Sequence, residues 1–276
     1  MKHILLPTDF SENSKNAILY AMELFRGNTC EFYFLNVQKP SEFVLDDVMS
    51  AEPGTSVYQA ILKDNKQQLK EFIIPIKEKY QTEDYTFLLY VDYDVLTDSI
   101  NQLKQTKTID LIVMGTNGAT GAEEVLFGSN TLKVIRKVDS PLLAIPQDYT
   151  YKKIESVVFT ARSCKDIKHE AAQPLKELVK LTNAQLQILK IKGQAAKNNH
   201  NCGSCLVDAM NGFDYESHTL YGIPEPIAID TFVQLMKSGL HAMFVERETF
   251  LDRFFFGNNT AKISYSTRVP LLVLHK

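Results

Sequence analysis

The segment MGTNGATGAEEVLFGSN, residues 114–130, holds four of the chain's twelve glycines. Gly115 and Gly118 directly follow the apolar run Leu111–Met114, and Gly128-Ser129 precede a helical pattern over Asn130–Val138. Glycine gives a backbone access to positive φ and close approach to a ligand. A helix start adds unpaired N–H groups and the positive end of a dipole. A strand, glycines and a helix start in series can therefore cradle a phosphate. The same residues also fit an ordinary connecting loop with Ser129 as the helix cap, and the residue types alone leave both readings open.

Other reactive side chains have less support. Cys202 and Cys205 in HNCGSC have C-x-x-C spacing with His200 and His218 near. Zinc needs four ligands and a supporting shell, and a redox pair should open a helix after a strand. Polar AAKNNHN precedes this pair instead, so a surface loop with reduced cysteines is expected, with zinc and redox chemistry as the alternatives. Glu123-Glu124 reads as a solvated loop pair, and His241, inside an apolar run, as a core histidine.

The elements that must position the glycine loop follow from periodicity. In the first half, strands are expected at 4–7, 31–37, 85–91, 110–114 and 141–145. Helices are expected from a Ser11 cap to Phe25, over 57–80 with a kink near Pro75, over 95–104 and over 130–138. Strands alternating with helices imply a parallel, doubly wound sheet, with ligands at the carboxyl ends of its strands. Asp9, Val37 and Gly115 stand at such ends. Composition agrees: 45% hydrophobic and 23% charged residues specify a folded chain. A net charge of −3 without a basic stripe excludes a nucleic-acid binder. Apolar runs are too short for a membrane helix. MKHILLPTDFS reads as a first strand rather than a signal peptide. Four cysteines are too few for a disulfide framework at this length, so a cytoplasmic setting is expected.

The chain repeats itself. FGSNTLKVIRKVDSPLLAIP (127–146) and FGNNTAKISYSTRVPLLVLH (256–275) share 8 of 20 positions without a gap, at an offset of 129 residues. ILLPTDF (4–10) matches SVVFTAR (156–162) at an offset of 152. Two copies of one domain are expected, 1–146 and 154–276, joined by QDYTYKK (147–153). In the second copy Gly115 becomes Phe244, Gly118 becomes Arg247 and, at offset 152, Asp9 becomes Ala161. That copy should bind no nucleotide. Its strands are expected at 157–160, 186–191, 240–245 and 270–274.

The spacing Gly115-x2-Gly118-x9-Gly128-Ser129, with ILLPTDFS at the start, the strand ending at Val37 and the closing SPLLAIP, resembles the universal stress protein family. The resemblance spans the first copy and implies a tandem member. It implies two Rossmann-like (adenine nucleotide alpha hydrolase-like) doubly wound α/β domains, each a five-stranded parallel sheet flanked by helices. By position, Asp9 would contact the nucleoside, Val37 would bind adenine through its backbone, and Gly115 would approach ribose. Gly118, Gly128, Ser129 and Asn130 would hold phosphates, and Pro7, Thr8 and Met114 would line the pocket. The implied ligand is ATP, AMP or ADP. No arginine or lysine stands in the motif, where Asn117 and Ala119 replace basic residues common in the family; Mg²⁺ would compensate. The implied role is a stress-response or signalling module without efficient catalysis, the alternatives being a slow ATPase or a ligand-free interaction protein. The resemblance also implies pairing of the two copies through their last strands, and leaves room for a further homodimer.

Overall fold

The computed structural model describes residues 1–38, 57–116, 127–162, 166, 170–193, 212–245 and 268–276, with 57–63 described by backbone alone. The first half runs β1 (Lys2–Pro7), α1 (Glu12–Leu24), β2 (Cys30–Gln38), α2 (Val57–Lys79), β3 (Tyr85–Tyr93), α3 (Leu96–Thr106), β4 (Leu111–Gly115), α4 (Ser129–Lys137) and β5 (Leu142–Ile145). The second runs β6 (Ser156–Thr160), α5 (Gln173–Thr182), β7 (Gln185–Lys192), β8 (Tyr215–Tyr221), α6 (Glu225–Leu235), β9 (Leu240–Val245) and β10 (Leu271–His275).

All ten strands form one sheet in the order β3-β2-β1-β4-β5-β10-β9-β6-β7-β8. Every ladder is parallel except β5–β10, which is antiparallel. The order 3-2-1-4-5 thus occurs in each half. The strands are nearly continuous apolar runs because helices cover both faces, as parallel sheets require. One apolar layer joins the sheet to α1, α2 and α5. The other joins it to α3, α4 and α6.

Local chemistry accounts for the element ends. Ser11 caps α1, its side chain accepting from the Ser14 amide. Helix α2 continues through Pro75 to Lys79. Helix α5 carries a proline in its first turn, where no backbone donor is needed, and ends on Asn183 in the left-handed region at φ 52°. Among the described residues no helix is long and apolar enough to cross a membrane.

The ladders correct one expectation. Ile4 pairs with Leu111 on β4, and Val157 pairs with Leu240 on β9. Equivalent first strands are therefore 153 residues apart, not 152, while β4 and β9 keep the 129 offset. Thr8 corresponds to Ala161, whose amides bond Leu35 and Leu189 respectively, and Asp9 corresponds to Arg162. Both runs are apolar enough to slide by one residue in a sequence comparison; backbone pairing sets the register.

Candidate functional site

The strand order places β1 between β2 and β4, with the crossover from β3 to β4 passing over to β1's other side. The carboxyl ends of β1 and β4 therefore flank the switch point. A cleft of about 360 Å³ opens there. From the β1 end it is lined by Pro7, Thr8 and Asp9, and from the other strands by Val37, Met114 and Gly115. Gly128 and Asn130 line it from the start of α4. Of the residues nominated by sequence, Ser129 is exposed and outside the lining, and Gly118 lies outside the described residues, as do Asn117, Ala119, Glu123 and Glu124.

The β1 end is rigidly bonded. The Thr8 amide donates to Leu35 O at 2.8 Å, and its carbonyl accepts from the Asn36 side chain at 2.8 Å. Phe10 adopts φ 63° and donates its amide to Thr8 Oγ1 at 3.0 Å. Asp9 Oδ1 accepts from the Ser11 hydroxyl at 2.6 Å and the Ser11 amide at 3.1 Å. Burial pushes the Asp9 carboxyl up, but hydrogen bonds from the Ser11 hydroxyl and amide and from Ser14 outweigh it and hold the group below its ordinary value.

On the opposite wall, α4 begins with Gly128 as N-cap and no side-chain cap bond. The N-cap is thus Gly128 rather than Ser129. The first turn's N–H groups need other partners. Thr131 Oγ1 donates to Gly115 O at 3.0 Å and ties this turn to the end of β4. Gly128 has φ −65° and ψ 157°, and Gly115 is not among the positive-φ glycines, so neither needs a glycine's conformational freedom. What each supplies is space. A Cβ on Gly115 would lie 2.6 Å from the Asn13 side chain, which occupies that room.

Several cleft residues were not nominated from sequence. Asp94, Val95, Leu96 and Thr97, around the start of α3, close one side. Ser11, Asn13 and Ser14 come from the start of α1, and Thr131 and Lys133 from α4. Lys133 puts an exposed cation at the cleft although no basic residue stands in the glycine motif. Its signal was the i,i+3 step from Asn130, which sets both on one helical face.

The matching region of the second half is filled. Phe244, the equivalent of Gly115, is buried and packs edge-on against Phe159 at 5.9 Å. The Lys276 ammonium lies 5.0 Å from the Phe244 ring centre and 2.7 Å from Asp166. Asp166 also accepts from the Arg162 amide at 2.8 Å. His241 is fully buried, shares a 2.9 Å hydrogen bond with Thr160 Oγ1, and is pushed down to about 3 by burial. That is the core histidine expected. Among the described residues no three His, Cys, Asp or Glu side chains gather as a metal site, and Cys202 and Cys205 lie outside them.

A doubly wound parallel sheet with its crevice at the switch point, beside an uncapped helix start, defines a Rossmann-like α/β protein of the ligand-binding kind. Residues 1–146 match the universal stress protein family. The match covers more than half of the 276 residues, and the chain belongs to that family. A universal stress protein of Methanocaldococcus jannaschii is 31% identical over 144 residues, covering 52% of this chain and 81% of the relative. A second from the same organism is 26% identical over 152 residues, covering 52% of this chain and 94% of the relative. The solved structure of a universal stress protein from Archaeoglobus fulgidus matches 99% of this chain and 96% of its own, at TM-score 0.69 and 17% identity, which is likeness of fold.

Proposed function

We propose that the chain is a tandem universal stress protein that binds one adenine nucleotide, ATP, ADP or AMP, in the cleft of residues 1–146. The observation that carries this reading is convergence: every nominated residue except Gly118 and Ser129 lines the same cleft, beside the uncapped start of α4 and Lys133. Its volume of about 360 Å³ suits a small ligand. The Leu35 carbonyl points to β1, where it meets the Thr8 amide. Strand alternation aims the Val37 N–H and C=O the same way, just past the end of β1. That supports an adenine edge bound by Val37 backbone. The α4 start and Lys133 then serve the phosphates, and Mg²⁺ is an optional companion of the longer ones.

The reading extends to a binding module without efficient hydrolysis. A general base works best near ambient pH. Asp9 is held below its ordinary value and already bonded to Ser11, which makes it a poor base. Residues 154–276 act as a structural partner, because Phe244 fills the place of Gly115. The β5–β10 ladder supports pairing of the two copies as an intramolecular pseudo-dimer.

Nucleotide in the freshly purified protein, identified by mass spectrometry after denaturation, tests the reading together with calorimetry against ATP, ADP and AMP. One site per chain is expected, without phosphate release from ATP above the buffer rate. Failure of all three nucleotides to bind overturns it and leaves a ligand-free interaction protein. Steady phosphate release makes it a slow ATPase.

A further inference from the structure

A second cavity lies where the halves meet, on the face that carries α1 and α5. Its volume is about 380 Å³. Ile4, Phe25, Leu111, Leu178, Leu181 and Leu272 form its walls, so they come from both halves. The nucleotide cleft shares none of them.

The pseudo-symmetry of the sheet shows what such a groove holds. Leu143 pairs with Leu272 across β5–β10, and these are equivalent positions, so the local twofold passes between them. Each groove on this face must then have a counterpart across that axis. Asp110, at the rim of the cavity, corresponds to Gly239 at the 129 offset. Phe34 pairs with Leu6 and Ile188 with Phe159, which sets β2 and β7 154 residues apart. Carried back onto the preceding helices, that offset matches Pro174 with Tyr20 and Glu177 with Glu23.

The counterpart groove is full. Tyr151 stacks edge-on against Tyr20 at 5.3 Å, and Tyr149 lies 6.2 Å from it. The Asn16 side chain holds the Tyr149 carbonyl at 3.2 Å. Ile154 is buried, with its Cα 3.3 Å from where a Cβ on Gly239 would stand. Residues of the 147–153 linker and the one after it thus plug that groove with aromatic and aliphatic groups. In the open groove the equivalent of Ile154 is Met1, which is 68% exposed.

We propose that the open cavity is a binding site for a small, uncharged aromatic molecule of the phenol or indole class. The aromatic character follows from the tyrosines that occupy the counterpart, and from walls that are apolar on all sides. The lack of charge follows from the rim. Lys2 is ion-paired with Glu177 across the two halves, and Lys180 and Asp110 add one charge of each sign. An ion gains nothing net there, whereas one hydroxyl or indole N–H finds donors and acceptors at the mouth. Bound so, the ligand bridges α5 and β1 and reinforces the seam.

The test is methyl NMR on the full chain, titrated separately with phenol and with indole. Saturable shifts are expected, with intermolecular NOEs from the probe ring to methyls of Ile4, Leu111, Leu178 and Leu272. Leu178→Trp fills the cavity and should weaken binding at least ~tenfold. Leu181→Phe fills it from the other end of the wall, so a folding defect in one variant leaves the other to decide. No saturation by either probe overturns the proposal. So do NOEs to Val37 and Met114, which place the probe in the nucleotide cleft. So does a dilution-dependent shift of the cavity methyls without probe, which makes a second copy of the chain the occupant.

Discussion

Leu143 on β5 and Leu272 on β10 face each other across the one antiparallel ladder of the sheet, and they are the same position in the two halves, 129 residues apart. Both are fully buried. A residue that meets its own equivalent marks a twofold axis, so each side chain packs in an environment built by both halves. This arrangement leaves no free edge at β5 or β10, where unpaired strand groups would invite foreign pairing.

Leu272→Ala should therefore destabilise both halves together, by about 2–5 kcal/mol for a buried leucine truncated to alanine. Hydrogen exchange checks it. Faster exchange is expected at Leu142–Ile145 as well as at Leu271–His275. Acceleration confined to the second half would mean that the halves open independently.

Much of this organisation was legible in the sequence, because the strands are apolar runs and the closing motif recurs. The misses have physical causes. Strand β8, Tyr215–Tyr221, was not foreseen: it is an outer strand with partly exposed residues, so no apolar run marks it. The one-residue register error arose where β1 and β6 are uniformly apolar, since hydrophobic matching is degenerate there and pairing is not. At the cleft, backbone positions named by the glycine spacing came together, whereas Lys133, Asn13 and the start of α3 did not show. Their placement depends on how helices dock, and that is a tertiary property. The linker also looked like plain spacer, yet Tyr149 and Tyr151 pack on Tyr20.

Gly128→Val separates ligand space from backbone need. At φ −65° and ψ 157° the site accepts a branched residue, so the fold should survive with a loss of about 1 kcal/mol or less from the weaker N-cap. A side chain between the first-turn amides and a phosphate removes charge-assisted bonds worth about 1.5–3 kcal/mol each. Calorimetry should show ATP affinity reduced more than about tenfold. Phe244→Ala in the second half should leave it unchanged. Undiminished binding in Gly128→Val would remove α4 from the site.

Lys133→Met tests the cation on the same wall. Lys133 is exposed, so its effect on a phosphate is screened and worth about 0.5–1 kcal/mol. A two- to fivefold loss for ATP is expected, with adenosine affinity unchanged and Lys133→Arg close to wild type. An equal loss for ATP and adenosine would mean that Lys133 shapes the cleft instead of meeting phosphate.

His241 predicts a pH dependence of stability. Burial lowers its folded-state value from 6.5 to about 3. Above 6.5 the ring is neutral in both states and folding carries no proton cost. As pH falls between these values the unfolded chain takes up a proton that the folded chain refuses. Stability then drops, by up to about 1.4 kcal/mol per pH unit. His241→Gln keeps a polar partner for Thr160 Oγ1 but cannot titrate. Urea unfolding of both proteins from pH 7 to pH 4.5 should show a wild-type advantage that shrinks steadily below pH 6.5, because every other titrating group is common to both. Parallel curves over that range would mean that the ring takes its proton without unfolding, which its burial and its bond to Thr160 do not allow.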